Sequence, residues 1–231
     1  MIADKKEFYG GFALLVGFFA VLAIMFSPVF NGKNALNYLD YFYSLYNTIS
    51  KGSAYYIPKL KKDVADFKAE PVSITITMKD PQQAEKTALL FTKSGASADV
   101  SGTGIKISGD FNKILENCLE DSDNMFNNKG GIVSEKYGYP EREVLFNWWS
   151  AIKVMDKEFG KQSKFKEMKL LNSISKKGVE CSYNYYKIIP QKITEKLGIV
   201  VFSLVFYVVY TMWYGFAILF MFEGWGLKLS H

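Results

Sequence analysis

Two stretches of this chain carry no charge: Tyr9 to Phe30, 22 residues, and Leu197 to Phe222, 26 residues. A helix rises about 1.5 Å per residue and the hydrocarbon layer takes about 20 apolar residues to cross, so both stretches are long enough to span. The first follows Lys5 and Lys6, as the core of a signal peptide would, but such a core is shorter, about 7 to 15 residues, and ends on small residues. Here the apolar run continues through AVLAIMFSPVF and exits on bulky side chains. The sequence therefore predicts an uncleaved anchor. The fold class expected is a membrane protein, α+β, with two transmembrane helices at 9–30 and 197–222 flanking one extramembrane domain.

Two spans return both tails, 1–8 and 223–231, to the same side. These tails are expected to be too short for a kinase, receiver or DNA-binding output module. The 166 residues from Asn31 to Lys196 form the domain on the other side, a normal size for one domain. Lys5, Lys6 and Lys228 mark the tail side, while Lys33, Lys187, Lys192 and Lys196 mark the domain side, so the local count mildly favours a cytoplasmic domain. A long loop is translocated largely regardless of its charge, and the first span usually dominates. The orientation adopted has both termini cytoplasmic, in an inner or plasma membrane of bacterial type, with residues 31–196 extracytoplasmic.

The formal net charge is +5, yet within the domain only Arg142 is arginine. Nucleic-acid grooves and bidentate phosphate sites favour the planar guanidinium fork, and here the lysines are scattered among acids. A solvated face is expected and no nucleic-acid partner; KLKKDVADFK, Lys59 to Lys68, could still attract anionic headgroups. The one histidine is His231, which leaves the domain without an imidazole for haem, zinc or a catalytic triad. Cys118 and Cys181 stand 63 positions apart. They could form a single disulfide outside the cytoplasm, or remain buried thiols in a reducing compartment. The glycines of ASADVSGTGIKISGD match neither a P-loop nor a dinucleotide loop and read as a hairpin turn around Thr103. Glu116, Glu120, Asp121 and Asp123 lack EF-hand spacing and read as a solvated helix end. No cofactor and no metal are expected.

Along the domain, residues 31–58 hold a juxtamembrane amphipathic helix whose apolar face is read as Leu36, Leu39, Tyr43, Tyr46 and Ile49. Residues 59–135 form a small strand-helix-strand-strand-helix unit. PVSITITM alternates with period two; Asp80 caps a helix with Ala84, Ala88, Leu89 and Phe91 turned inward; a hairpin and an Asp110-capped helix follow. Residues 136–196 read as helical: one helix from Pro140 with Leu145, Trp148, Trp149, Ile152, Met155 and Phe159 on one face, ending at Gly160. A second takes Phe165, Met168, Leu171 and Ile174 and stops before Gly178. The third, CSYNYYKIIPQKITEKL, leads into the last span.

The last span carries Tyr207, Tyr210, Thr211 and Tyr214 along one side, with Ser203 a turn earlier. In lipid, helix association rests on close packing, small residues and polar side chains, and an unpaired hydroxyl costs on the order of several kcal/mol. The stripe is expected to meet protein, either the first span at Gly10, Ala13, Gly17 and Ala20 or a foreign helix. The reading that follows is a non-catalytic accessory subunit or assembly factor of a larger membrane complex. Its contacts would be Tyr207, Tyr210, Thr211, Tyr214, Tyr43, Tyr46 and Gly17, and its partners other integral membrane subunits and membrane lipid. The alternative is an extracytoplasmic ligand-binding or sensor module that signals through a partner membrane protein.

Overall fold

A computed structural model describes residues 2–28, 35–68 and 70–227, with the side chains of 35–38 outside the description. It divides into two compact units, Met1–Ile49 with Gln191–His231, and Ser50–Pro190. The chain is mostly helical, with a small three-stranded sheet.

The first unit is built on two long apolar helices. Helix α1, Lys5–Phe26, begins where the Asp4 carboxylate accepts the Lys6 and Glu7 amides at 2.8 and 3.1 Å, satisfying donors that the first turn leaves unpaired. Helix α10, Leu197–Gly224, is its antiparallel partner. Both are long and apolar enough to cross a membrane. On α1 the shielded positions Phe8, Gly11, Leu15, Phe18, Leu22 and Met25 recur at threes and fours, the spacing that keeps one seam against a partner. A Cβ on Gly11 would stand 2.7 Å from the Ala217 carbonyl oxygen, so a residue without a side chain permits this backbone approach. At the end of the pair, the Ala3 and Asp4 amides both donate to the Gly224 carbonyl at 2.9 Å.

Helix α2, Ala35–Ser53, differs from the face expected for it. Leu45 is its buried apolar side chain and Phe42 is half-buried, whereas Leu39 and Tyr43 are exposed at 57% and 74%. Leu36 lies outside the described side chains. The helix is apolar on two sides, and the sequence pattern of threes and fours picks out the outer one.

The second unit opens with α3, Ile57–Ala65, whose Ile57, Leu60 and Val64 are buried. It then runs β1 (Val72–Thr77), α4 (Pro81–Lys93), β2 (Ser97–Ser101), β3 (Gly104–Gly109), α5 (Phe111–Phe126), α6 (Gly130–Tyr137) and α7 (Glu141–Lys161). Next come α8 (Phe165–Ile174), a π-helical stretch at Ser175–Glu180 and the short α9 (Cys181–Tyr185). The strands lie in the order β1-β3-β2, all neighbours antiparallel, with Val72 opposite Gly109 and Ser101 opposite Gly104. Because β3 inserts between β1 and β2, the β1-α4-β2 passage is a split crossover. Gly102, with φ +60°, takes the first turn position between β2 and β3, where a two-residue hairpin needs a positive φ. Val72, Ile74, Ile76, Ile105 and Ile107 point into the core, and the intervening Ser73, Thr75, Thr77, Lys106 and Ser108 face water. Helices α4 and α7 cover the apolar face, and one continuous core joins residues of 60–125 to residues of 133–186.

Several local expectations change. In α4 the inward residues are Ala84, Thr87, Ala88, Leu90 and Phe91, while Leu89 is exposed. In α8 Phe165 points outward at 68% exposure, and Leu170 joins Leu171 and Ile174 in the core. Gly178 does not stop a helix. It lies in the π-helical stretch, where an added Cβ would be 3.2 Å from Leu119 and 3.4 Å from Leu60; the wider turn lets both Ile174 and Val179 face the core. The third helix ends at Tyr185 and no long helix precedes α10, only a 3-10 turn at Ile193–Glu195. Helices α3 and α6 lack long apolar periodicity, so the sequence pattern does not mark them.

Candidate functional site: the helix pair and a buried polar cluster

The tyrosines expected to make contacts on α10 share one side of it but are covered unequally. Tyr210 and Tyr214 turn toward α1, where the Phe18 ring lies 4.4 Å from the Tyr210 ring, stacked, and 5.2 Å from that of Tyr214. Tyr207, seven residues before Tyr214 and so at nearly the same angle round the helix, is left uncovered at 66% exposure. The Thr211 hydroxyl donates to its own helix, to the carbonyls of Tyr207 and Val208 at 2.8 and 3.0 Å, so it is spent locally. The Tyr210 hydroxyl is enclosed without a hydrogen-bond partner among the described residues. On α1 the small-residue face Gly10, Ala13, Gly17 and Ala20 is not the docking face: Gly10, Ala13 and Ala20 are exposed, and Gly11 makes the close contact. Gly17 does meet α10, but through Trp213, whose ring would lie 3.3 Å from an added Cβ. The Trp213 indole N–H donates to the Leu14 carbonyl at 3.0 Å.

Of the juxtamembrane pair, Tyr46 reaches α10: its hydroxyl shares a hydrogen bond of 2.5 Å with Ser203 Oγ. Tyr43, three residues away on the same side of α2, has its ring in the open. Concavities on the helix pair are shallow and apolar, one of about 340 Å³ lined by Leu14, Trp213, Phe216 and Phe220.

The second unit holds a polar cluster that the sequence does not announce. Asp121, expected at a solvated helix end, is fully buried. Its Oδ1 accepts from Lys136 Nζ at 2.8 Å, and its Oδ2 accepts from the Tyr137 hydroxyl at 2.6 Å and the Trp148 indole N–H at 2.8 Å. Lys136 also donates to Asn117 Oδ1 at 2.6 Å and Glu120 at 3.3 Å. The Asn117 amide donates to the Leu90 carbonyl and the Tyr137 oxygen. Burial raises the Asp121 carboxyl above the usual range, against the pull of Lys136, Tyr137 and Trp148. Burial and the neighbouring Asp121 likewise push the Tyr137 hydroxyl well up, so it remains a donor. Every donor facing Asp121 comes from the chain, which makes the cluster a tie from α5 to α6 and α7. The sequence does hold a signal for it: Ile114, Cys118, Asp121 and Met125 stand four, three and four apart, placing Asp121 on the apolar side of its helix.

Asp123, in the same acidic run, accepts from Tyr55 at 2.7 Å and pairs with Lys61 at 2.6 Å. Lys51 is buried at 3% exposure and donates to Asn128 Oδ1, the Tyr185 carbonyl and the Ile188 carbonyl at 3.1, 2.9 and 2.6 Å. Three acceptors for three ammonium protons account for its retention in a site whose burial lowers its pKa. Cys118 and Cys181 are both free thiols, the first buried and the second half-buried with its Sγ 3.6 Å from the Ala54 carbonyl; the disulfide is not formed. Burial raises both thiols, which lowers the fraction of reactive thiolate.

Comparisons with protein-family models, with curated proteins and with solved structures return no match to this chain.

Proposed function

We propose that this protein is a non-catalytic integral-membrane accessory or stabilising subunit of a larger membrane complex. In this reading α1 and α10 span the bilayer, both termini are cytoplasmic, and residues 31–196 form the extracytoplasmic domain. The observation that carries it is the outer surface of the helix pair: Phe202, Val205, Tyr207 and Val209 are all exposed at half or more. The two helices cover only one seam of each other, and so much contiguous apolar surface calls for lipid or foreign helices around it. Tyr207 adds a hydroxyl to that surface, and a hydroxyl in lipid favours a side where another helix supplies an acceptor.

The test is gentle detergent extraction followed by mass identification of what stays bound, with wild type beside the triple variant Tyr207→Phe, Tyr210→Phe, Tyr214→Phe. Wild type is expected to carry other integral membrane proteins and the triple variant to lose them. A wild-type protein that emerges alone and monodisperse would overturn the subunit reading; full retention by the triple variant would overturn the part assigned to the hydroxyls.

A further inference from the structure

Helix α2 has an outward face on which Leu39 and Tyr43 are 57% and 74% exposed among the described residues, and Tyr46, at i+7 from Leu39, shares that face while its hydroxyl reaches α10. Its inner side is already occupied, with Leu45 buried and Phe42 half-buried. Two hydrogen bonds fix where this face lies along α10. The Gln191 amide donates to the Thr48 carbonyl at 3.1 Å, six residues before α10 begins at Leu197. The Tyr46 hydroxyl meets Ser203, six residues after that start.

On the reading that α10 spans, these two points give a depth. A helix of 28 residues is about 42 Å long, against about 30 Å of hydrocarbon, leaving roughly 6 Å of overhang at each end. Ser203 lies about 9 Å along the helix, just inside the hydrocarbon boundary. Tyr46 therefore meets α10 at the boundary, and Tyr43 and Leu39 occupy the same face of α2 one and two turns earlier. Tyrosine, with an apolar ring and a hydroxyl that keeps a wet partner, suits this layer.

We infer that the Leu39, Tyr43 and Tyr46 face of α2 is covered by the headgroup and acyl boundary of the bilayer, so that α2 is an interfacial helix and its partner on this face is lipid. Asp40 and Ser44 are exposed beside the stripe and hydrate from the headgroup side. This rests on α1 and α10 being spans, and the experiment separates the two statements.

The full chain, with Cys181→Ala and with Cys118 left buried, is purified and reconstituted in phosphatidylcholine vesicles after attaching an environment-sensitive fluorophore to Tyr43→Cys, to Leu39→Cys or to Val208→Cys. Lipids brominated at shallow or at deep acyl positions serve as quenchers. The labels at 43 and 39 are expected to emit at blue-shifted wavelength and to lose most of their intensity to the shallow quencher. The label at 208 should respond to the deep one. Quenching at 208 with water-like, unquenched emission at 43 and 39 overturns the interfacial helix and leaves the spans standing. Absence of quenching at 208 overturns the spans. Water-like emission at 43 in lipid vesicles that turns blue only in native membranes assigns the face to a protein partner and overturns the lipid assignment.

Discussion

Replacing Asp121 by asparagine keeps the volume and removes the charge from the middle of the α5–α6–α7 tie. The carboxylate accepts three donors, and neither orientation of an amide can do so. With the amide nitrogen at the Oδ2 position, the Trp148 indole N–H, 2.8 Å away and unable to turn, faces another donor. With it at the Oδ1 position, Lys136 Nζ at 2.8 Å does. One or two charge-assisted bonds are lost at about 1.5–3 kcal/mol each, offset in part by the lower desolvation of a neutral group, for a net cost of about 3 kcal/mol. The assay is amide hydrogen exchange of the detergent-solubilised full chain, read over residues 111–137. A loss of that size accelerates exchange in α6 by about two orders of magnitude. Rates within about threefold of wild type at neutral pH would refute the claim that this carboxylate holds α6 in place.

The pH dependence follows from the same cluster. Burial raises the Asp121 pKa in the folded state, so between its unfolded value of about 3.9 and the raised folded value the native state holds more protons than the unfolded one. The contribution is fully present below the unfolded value and is lost as pH rises through the folded one. Lys136→Met removes the cation that opposes the rise, so stability measured by urea unfolding should fall with pH over a wider window than in wild type, at up to about 1.4 kcal/mol per unit. The double variant Asp121→Asn, Lys136→Met should cost less than the sum of the two single changes, because the pair is in direct contact. Lys51→Met strips three oxygens of their donor and is expected to lower unfolding free energy by about 2–3 kcal/mol and to expose residues 185–190 to limited proteolysis. Gly11→Val drives a side chain into the Ala217 backbone, whereas a Cβ on Gly10 meets nothing within 4 Å. Cross-linking between Ala3→Cys and Gly226→Cys, whose β positions are 3.2 Å apart, should fail in the Gly11→Val background and persist in a Gly10→Val one.

Period-two alternation makes Val72–Thr77 legible in the sequence, because Val72, Ile74 and Ile76 on one face leave no other arrangement that buries them. The Asp80 and Asp110 caps are equally legible, since a carboxylate accepting first-turn amides is a local event. The misreadings share a cause. Asp121 looks solvated because its sequence neighbours are acidic, yet which side of α5 a residue occupies is set by the three-and-four spacing of the core, not by adjacent letters. Helix α2 has apolar residues on two sides, so a periodicity search accepts either, and only the tertiary packing of Leu45 decides which is inside. Short helices such as α6 take their stability from Lys136 and Tyr137 bonding to distant residues, which no local pattern encodes. The hydroxyl spacing on α10 is plain in the sequence, but the seam with α1 runs through Trp213 and Ala217, and Phe18 covers Tyr210 and Tyr214 while leaving Tyr207 open.

The Lys51 ammonium gathers the chain where it enters the second unit and where it leaves, since its acceptors include the Tyr185 and Ile188 carbonyls and Asn128, which itself donates to Ile188. A folded unit whose two ends meet at one point is topologically a bulge on a hairpin. It can be lengthened, exchanged or excised with its surroundings needing only a short bridge in its place. It can also be grafted into a loop of another protein without stretching that host's backbone. In mechanical terms, a pull on either strand at this crossing is shared between the Lys51 ammonium and the Gln191–Thr48 backbone bond, so the unit is loaded as a shackle rather than unzipped from one end.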